Sequence, residues 1–234
     1  MVQWFPACSR PFGGYVLSLN IKAFCLGPLA NNGYLIWDED SKEAFAVDPP
    51  MDAELMASFA ARSDLRVTKI LNTHGHFDHI AGNALMKKFS GAGVFIHKAD
   101  LGLLKRGAAH AEMFGLEMDP SPPPDGFLKE GDELILGSGK IMVLETPGHT
   151  PGGVSFYTEG DLFSGDSLFE GSIGRTDLEG GDLDSLVDSI RTKLFALPPE
   201  TLVHPGHGPE TTIGREMGGN PFVGGSAARR RDQP

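Results

Sequence analysis

Short apolar runs alternate along the chain with segments in which apolar residues recur at helical spacing. Residues 34–38 (YLIWD) and 43–48 (EAFAVD) are apolar runs separated by the polar residues EDSK, a pattern that predicts two strands joined as a hairpin. Residues 51–62 place apolar side chains on one face of a helix, and residues 67–73 (VTKILNT) are predicted to form a buried strand.

The same alternation continues through the rest of the chain. Further helices are predicted over 78–89, near 99–104 and over 182–197, and further strands over 93–98, 133–136, 140–146, 153–158, 161–165 and 201–205. Asp182 or Asp184 is expected to cap the helix over 182–197, because aspartate is a favoured N-cap residue. Thr211 is expected to open a last helix.

Strand pairs alternate with helices, and no change in composition marks a domain boundary. The pattern predicts one α/β or α+β domain over 1–234, with its helices outside the sheets. Residues 105–126 end in a proline-rich run (DPSPPPDG) and are predicted to form a loop, either a flap beside an active site or a plain connection. Residues 1–14 and 224–234 are predicted to be irregular ends.

Composition and charge narrow the function classes. The formal net charge of the 234 residues is −11, and an acidic chain repels phosphate backbones, so we expect no nucleic-acid partner. No apolar run reaches the roughly 18 residues of a membrane span, and no signal peptide is evident, which predicts a cytoplasmic protein. The two cysteines, Cys8 and Cys25, form no disulfide framework and are expected to be small buried side chains.

One short stretch, ILNTHGHFDHI, holds three of the eight histidines within six positions, directly after an apolar run. At the end of a strand, His74 and His76 point the same way, and two imidazoles on one side are a ready pair for a divalent metal. Asp78 and His79 follow where the chain turns into a helix, so they can face the same cavity from another side. Two metals, each taking two of these residues, are easier to accommodate than one metal taking all four.

Three further candidate ligands lie in glycine- and proline-rich turns that follow predicted strands. They are His149 in LETPGHTPGG, Asp166 in LFSGDSLF and His207 in LVHPGHGP. Loops at strand ends commonly carry function. Each residue alone is more often a surface or capping residue, whereas all of these motifs together, in this order, favour a metal site. The remaining histidines, His97 and His204, are expected to be packing groups or to hold neighbouring ligands in place rather than to bind metal, and His110 is expected to be a solvated loop residue.

The motifs THGHFDH, TPGHTPGG, SGDSLF and PGHGP resemble those of the metallo-β-lactamase-fold hydrolases, over about residues 30 to 222. Residues 171–182 (GSIGRTDLEGGD) and 205–222 (PGHGPETTIGREMGGNPF) resemble the glyoxalase II-like branch. The resemblance implies a four-layer αββα sandwich with a dinuclear metal centre at one sheet edge. It also implies two divalent metal ions, with zinc favoured and iron or manganese as alternatives.

The resemblance implies a role for each ligand and a reaction. His74, His76 and His149 would hold the first metal, Asp78, His79 and His207 the second, and Asp166 would bridge both. A metal-bound hydroxide would cleave a small-molecule thioester such as S-lactoylglutathione, with Asp78 orienting the attacking water. Arg175 would face a substrate carboxylate, or would instead pair with Asp177 or Asp182. A homodimer is compatible with the family.

Three observations keep other functions open. The chain ends 27 residues after His207, too short for the helical region that supplies part of the glutathione site in glyoxalase II. His74, His149 and Asp166 could also form the triad of a mononuclear Fe(II) persulfide dioxygenase, a different class of enzyme. Lactonases and β-lactamases share the fold. A nuclease is disfavoured because the chain is acidic.

Overall fold

The computed structural model describes residues 19–225, which form two six-stranded sheets flanked by helices. The first sheet has its strands in chain order: β1 (Asn20–Leu26), β2 (Asn31–Trp37), β3 (Glu43–Val47), β4 (Arg66–Leu71), β5 (Gly93–His97) and β6 (Gly126–Leu128). Strands β1 to β3 pair antiparallel, which confirms the predicted hairpin of β2 and β3. Strands β3 to β6 run parallel, so their carboxyl ends share one edge of the sheet.

The second sheet combines an antiparallel meander with one parallel strand. Its strands are β7 (Glu133–Leu136), β8 (Gly139–Glu145), β9 (Val154–Thr158), β10 (Asp161–Gly165), β13 (Leu202–Pro205) and β14 (Thr211–Thr212), and a separate ribbon consists of β11 (Leu168–Phe169) and β12 (Ser172–Ile173). Strand β13 lies parallel to β10, so the loops after both strands emerge at the same edge. The predicted strands of this region are all present, with ends shifted by one residue at most.

Within residues 19–225, six α-helices accompany the sheets. They are α1 (Glu54–Arg62), α2 (Phe77–Ile80), α3 (Asn83–Ser90), α4 (Leu101–Met113), α5 (Leu183–Thr192) and α6 (Ile213–Gly219), with short 3-10 turns at Lys98–Asp100 and Leu194–Ala196. Asp182 caps α5, as predicted, by accepting a hydrogen bond from the Ser185 amide at 2.7 Å. Thr212 rather than Thr211 caps α6, because Thr211 still belongs to β14.

The alternation of side chains along the central strands separates three cores. Tyr34, Ile36 and Phe45 face the second sheet, whereas Leu35 and Ala44 face the opposite way and pack with α1 and α3. A third core joins the outer face of the second sheet to α5 and α6. The layers are therefore helix, sheet, sheet and helix, which confirms the predicted αββα sandwich.

Three helix predictions are wrong in their limits. The helix predicted over 182–197 already ends at Thr192, before the 3-10 turn at Leu194–Ala196. The helix predicted over 78–89 is divided into α2 and α3 at Gly82, whose amide donates to the Pro49 carbonyl at 2.8 Å. A Cβ at Gly82 would lie 2.6 Å from the Pro50 carbonyl oxygen, so only glycine fits here. Residues 105–113, predicted as loop, belong to α4. The prolines of the run DPSPPPDG all lie after the last residue of this helix, Met113, so they do not interrupt it.

The predicted environments of Cys25 and His110 are also wrong, and some predictions fall on residues outside the described range. Cys25 is exposed rather than buried, with its Sγ 3.6 Å from the Ala30 carbonyl oxygen. His110 lies on α4 and is half-buried, so it is not a solvated loop residue. Cys8 and the predicted irregular end 1–14 lie outside the described residues, as does nearly all of the tail 224–234. Within residues 19–225, none of the helices has both the length and the apolar character needed to cross a membrane.

His204, at the end of β13, is a buried histidine held between two carboxylates. Its Nε2 lies 2.8 Å from Asp161 Oδ1, its Nδ1 lies 2.9 Å from Glu210 Oε1, and its ring stacks on Phe163. Burial lowers the pKa of His204, but the hydrogen bonds to Asp161 and Glu210 outweigh burial, so the pKa is raised above its ordinary 6.5. The packing role expected from the sequence therefore includes a charge.

We expect the stability contributed by His204 to depend on pH. A group whose pKa is raised in the folded state stabilises fully below its unfolded pKa of about 6.5, and the effect is lost as the pH rises through the folded pKa. His204→Gln should therefore lower the free energy of unfolding by about 1–3 kcal/mol at pH 6 and by less at pH 9. Urea unfolding of chelator-treated protein at both pH values measures this difference. An equal loss at both pH values would contradict the assignment, and the pH dependence should disappear in an Asp161→Asn/Glu210→Gln background.

Candidate metal centre

The seven predicted ligands all meet at one edge of the sandwich, where loops following β4, β8, β10 and β13 converge. His74 and His76 follow β4, and α2 begins directly after them and carries Asp78 and His79. The other three ligands come from the second sheet: His149 follows β8, Asp166 follows β10 and His207 follows β13. Strand topology therefore explains why residues far apart in sequence come together.

His74, His76 and His149 form the first group. One ring nitrogen of each lies within 4.8 Å of the others, and His149 Nε2 is 2.9 Å from His76 Nδ1. The rings of His74 and His149 are nearly perpendicular, with centroids 4.9 Å apart. Three imidazoles converging in this way are a set typical of a zinc site with one open position.

Asp78, His79 and His207 form the second group, in which one ligand atom of each again lies within 4.8 Å of the others. His207 Nε2 is 3.3 Å and His79 Nε2 is 3.6 Å from Asp78 Oδ2. Asn31, on β2, donates a hydrogen bond to the same Asp78 oxygen at 2.9 Å. The second group is therefore assembled around one carboxylate oxygen.

Asp166 lies between the two groups. Its Oδ1 is 3.4 Å from His79 Nε2, and its Oδ2 is 3.6 Å from His149 Nε2 and 3.7 Å from His207 Nε2. The backbone at Gly206 passes so close that a Cβ there would lie 2.2 Å from Asp166 Oδ1. A carboxylate that faces both histidine groups is in the position expected of a bridging ligand.

The donor atoms of this site fit a pair of divalent cations. His74 Nε2, His79 Nε2 and Asp166 Oδ1 are buried and have no hydrogen-bond partner among the described residues. Leaving a buried polar atom unpaired costs about 1–3 kcal/mol, so three such atoms aimed into one space indicate a ligand. Histidine nitrogens with carboxylate oxygens suit zinc, iron and manganese.

The protonation of the site divides it into two parts. Burial, followed by the neighbouring histidines, holds the pKa of His74 well below 6.5, and burial with His149 lowers the pKa of His76 to about 4. Burial also lowers the pKa of His79, but Asp166, Asp78 and Asp48 outweigh it and raise the pKa to about 10. His74 and His76 are therefore neutral imidazoles, the form that binds metal, and the second group carries the carboxylates that favour a cation.

Asp48 is a functional residue that the sequence reasoning missed. Its Oδ2 lies 3.0 Å from His79 Nδ1, and its two oxygens accept hydrogen bonds from the backbone amide and the hydroxyl of Thr73. Asp48 thereby fixes the ring of His79 so that Nε2 faces the site. An acidic residue directly after an apolar strand was the available signal, the same one that identified Asp166.

Asp100 was missed as well, and it connects the two loops that carry the first group. Its Oδ2 accepts hydrogen bonds from the Gly75 amide at 2.9 Å and the Thr150 hydroxyl at 2.7 Å, and its Oδ1 accepts one from the Gly152 amide at 2.7 Å. Burial raises the pKa of the Asp100 carboxyl, although these hydrogen bonds oppose the rise. Asp100 therefore holds the loop after β4 against the loop after β8.

Replacing Asp48 with asparagine is expected to weaken metal binding in the second group. Loss of a carboxylate that orients a ligating histidine typically costs about 10- to 100-fold in metal affinity. Metal titration of the chelator-treated variant measures this change. The control is Asp38→Asn, because Asp38 is also buried and hydrogen-bonded but lies at the opposite end of the β2–β3 hairpin. Equal affinity in wild type and Asp48→Asn would contradict the role of Asp48.

A model of the metallo-beta-lactamase superfamily matches residues 26–207, which include all seven residues of the site. The chain belongs to this superfamily. Within the superfamily match, the seven residues follow the chain order His74, His76, Asp78, His79, His149, Asp166 and His207.

Relatives in other organisms extend the comparison over nearly their whole length. The chain is 37% identical to the hydroxyacylglutathione hydrolase GloC of Haemophilus influenzae over 209 residues, which cover 88% of this chain and 98% of the relative. It is also 37% identical to the probable metallo-hydrolase YqgX of Bacillus subtilis over 203 residues, covering 86% of this chain and 95% of the relative. Both names denote hydrolases.

Two solved structures are similar in both sequence and fold. The crystal structure of the B3 metallo-beta-lactamase BLEG-1 is 41% identical in sequence to this chain, with a TM-score of 0.82. The match covers 88% of this chain and 100% of the BLEG-1 chain. The crystal structure of TTHA1623 in a di-iron-bound form is 40% identical in sequence to this chain, with a TM-score of 0.80. The match covers 86% of this chain and 100% of the TTHA1623 chain. The superfamily fold can therefore hold two iron ions.

A cavity of about 750 Å³ opens above the ligands. His76, Asp78, His149, Asp166 and His207 form its floor, and most of its walls are apolar. His110, Arg175 and Glu179 are the remaining polar residues that line it. A cavity of this size that narrows onto the candidate metal ligands is the natural place for a substrate.

Arg175 lines the cavity, but its side chain already has a partner. The exposed guanidinium makes two hydrogen bonds to the Asp177 carboxylate, at 2.7 and 2.8 Å, as one of the two sequence interpretations expected. The Arg175 backbone carbonyl oxygen lies 2.7 Å from His149 Nδ1, and this contact directs His149 Nε2 into the site. The contact between the Arg175 backbone and His149 was not predicted from the sequence.

Proposed function

We propose that this protein is a metal-dependent hydrolase of the glyoxalase II type that cleaves thioesters. The observation that carries the proposal is the arrangement of Asp166 between two adjoining three-ligand groups. A shared carboxylate between two nitrogen-rich groups suits a pair of divalent ions, for which we propose zinc first and iron or manganese as alternatives. The similarity to GloC, named a hydroxyacylglutathione hydrolase, supports the thioester class.

Each residue of the site has a defined task in this proposal. His74, His76 and His149 would hold one ion, Asp78, His79 and His207 the other, and Asp166 both. When bound, such a pair would lower the pKa of a bound water to near neutrality, and the metal ions would polarise the substrate carbonyl. Asp78 keeps one oxygen anchored by Asn31 and would orient the water toward the carbonyl carbon.

Hydrolysis of S-lactoylglutathione tests the proposal directly. Chelator-treated protein is reloaded with zinc, iron or manganese, and the release of free thiol is measured for each metal. We expect turnover with at least one metal and its loss in the presence of excess chelator. If no metal restores turnover of this substrate or of any simpler thioester, the proposed function is wrong.

A mononuclear Fe(II) persulfide dioxygenase is the second candidate. The observation that favours it is that His74, His149 and Asp166 alone form a two-histidine, one-carboxylate set, with Asp166 Oδ2 3.6 Å from His149 Nε2. Asp78, His79 and His207 would then have no metal to hold, and for this reason we favour the hydrolase. Oxygen uptake by the iron-loaded protein with glutathione persulfide distinguishes the two candidates.

Hydrolysis of a β-lactam is a further candidate that the similarity to the BLEG-1 structure motivates. Its reacting carbonyl would occupy the same position above the two groups as a thioester carbonyl. The same metal-loaded preparations should therefore be assayed with a β-lactam and with a lactone. A β-lactam turned over faster than every thioester would replace the thioester assignment.

A further inference from the structure

Two apolar walls rise from the candidate metal centre and enclose most of the cavity. One wall comes from Leu29, Phe77 and the end of α4 with the residue after it, Met113 and Phe114. Phe114 stands against Phe77, with ring centroids 5.2 Å apart. The other wall is formed by Phe169, Ile173 and Leu178. The space between the walls is continuous with the ligand groups below.

The upper parts of both walls are exposed although their side chains are large and apolar. Met113 is 81% exposed and Phe114 is 64% exposed, and Leu29 and Leu178 are each about two-fifths exposed. Apolar side chains that cluster around one concave site and remain in contact with water indicate a ligand that covers them. A small polar hydroxyacyl group would leave both walls in water.

The side chains in the walls of the cavity do not favour an anionic ligand. Among the described residues that line it, Arg175 is the one permanent cation, and its guanidinium is engaged by Asp177. On the same side, Glu179 is paired with Arg106 at 3.1 Å. The described residues that line the cavity therefore offer no unpaired side-chain cation to the carboxylates of a glutathione-like thiol, whereas they offer a large apolar surface to an acyl group.

From these observations we infer that the cavity binds the apolar acyl group of a thioester, an alkyl or aryl chain of several carbons, in preference to a lactoyl group. This inference rests on the proposed function, because it assumes that the thioester carbonyl lies over the two ligand groups. The acyl chain would then run upward between Phe77 and Phe169, toward Met113 and Phe114. A thiol without carboxylates is sufficient, since Arg175, the one Lys or Arg among the described lining residues, is already paired with Asp177.

Hydrolysis of a series of S-acyl-N-acetylcysteamines tests the inference, because their thiol carries no charge. The acyl group is varied from acetyl through butanoyl and hexanoyl to octanoyl, with lactoyl as the polar comparison, and kcat/KM of the zinc-loaded protein is measured. Burial of each CH2 group should raise kcat/KM about twofold or more, so that octanoyl exceeds acetyl by at least about 50-fold. A flat series, or a preference for the lactoyl group, would overturn the inference.

A pair of matched variants locates the effect. Phe114→Ser should reduce the dependence on chain length and lower kcat/KM for the octanoyl substrate by about tenfold. Phe127→Ser is the control, because Phe127 is also an exposed phenylalanine but lies on β6 and does not line the cavity. An unchanged chain-length dependence in Phe114→Ser, or an equal decrease in both variants, would overturn the placement of the acyl group.

Binding of thioethers that cannot be hydrolysed separates this inference from the proposed function. Calorimetric titration of chelator-treated protein should show S-octyl-N-acetylcysteamine binding at least about 50-fold more tightly than the S-methyl compound. If binding follows chain length but no metal supports hydrolysis of any thioester, the apolar site is supported and the proposed function fails. If thioesters are hydrolysed but neither binding nor kcat/KM follows chain length, the proposed function is supported and the apolar site fails.

Discussion

Asp166→Ala is expected to lose both metal ions and to reduce thioester hydrolysis by at least about 10³-fold. Asp166 approaches both groups, with Oδ1 toward His79 and Oδ2 toward His149 and His207. A metal pair contributes several kcal/mol to the stabilisation of the transition state, and each 1.4 kcal/mol corresponds to about tenfold in rate. Elemental analysis of the purified variant and thiol release from the substrate measure the two effects.

Asp161→Ala is the matched control for this variant. Asp161 begins the same strand, β10, at whose end Asp166 lies, and its carboxylate contacts His204 rather than the ligand groups. The control should keep both metal ions. An Asp166→Ala protein that retains two metal ions and full activity would contradict the bridging role of Asp166.

His79→Ala is expected to lose one metal ion and keep the other. The second group then retains only Asp78 and His207 as its own ligands, whereas the first group keeps all three histidines. We expect the metal content to fall from two ions per chain to about one, and hydrolysis to fall by about 10²-fold or more, because a two-metal site uses both ions. Metal content and kcat are measured on the same preparation.

The buried position of His79 requires a check that the variant is folded. His79 is fully buried, and its removal leaves the buried Asp48 carboxylate with Thr73 but without the imidazole that pairs with its charge, so the variant can also lose activity through instability. His79→Ala combined with Asp48→Asn removes the unpaired charge and should recover stability without recovering the second metal. Loss of both ions from a variant that unfolds like wild type would contradict the division into two groups.

The fold was predictable where continuous apolar runs mark strands that are buried on both faces. Residues 34–38 and 43–48 alternate between two faces, and the structure places those faces against the helices and against the second sheet. The prediction failed where local pattern competes with a distant contact. Gly82 ends α2 because the Pro49–Pro50 backbone lies against it, and no feature of residues 78–89 reveals that contact.

The candidate site was predictable because its ligands follow strands, and strand ends on one edge of a sheet meet in space. The residues that hold the ligands in place were harder to find. Asp48 and Asp100 are single carboxylates whose partners are a ring nitrogen, backbone amides and hydroxyls, and such contacts leave no spacing in the sequence. The contact between Arg175 and His149 was equally hard to predict, because the Arg175 backbone carbonyl makes it and no residue type marks a backbone contact.

The apolar walls of the cavity depend on a segment that was misjudged. Met113 and Phe114 lie at the end of α4, in a region that the downstream prolines led us to predict as loop. The helix carries both side chains over the ligand groups, together with His110. The substrate preference inferred from these residues could therefore not be proposed from the sequence.

A manganese titration of chelator-treated protein, followed by electron paramagnetic resonance, tests most directly whether Asp166 joins two metal ions in one site. Two ions about 3.5–4 Å apart that share the Asp166 carboxylate should give a spin-coupled spectrum when two equivalents are bound. We expect two manganese ions per chain with this coupling, and we expect the coupling to be absent in Asp166→Ala. A single ion per chain, or two ions with uncoupled six-line spectra, would contradict this expectation.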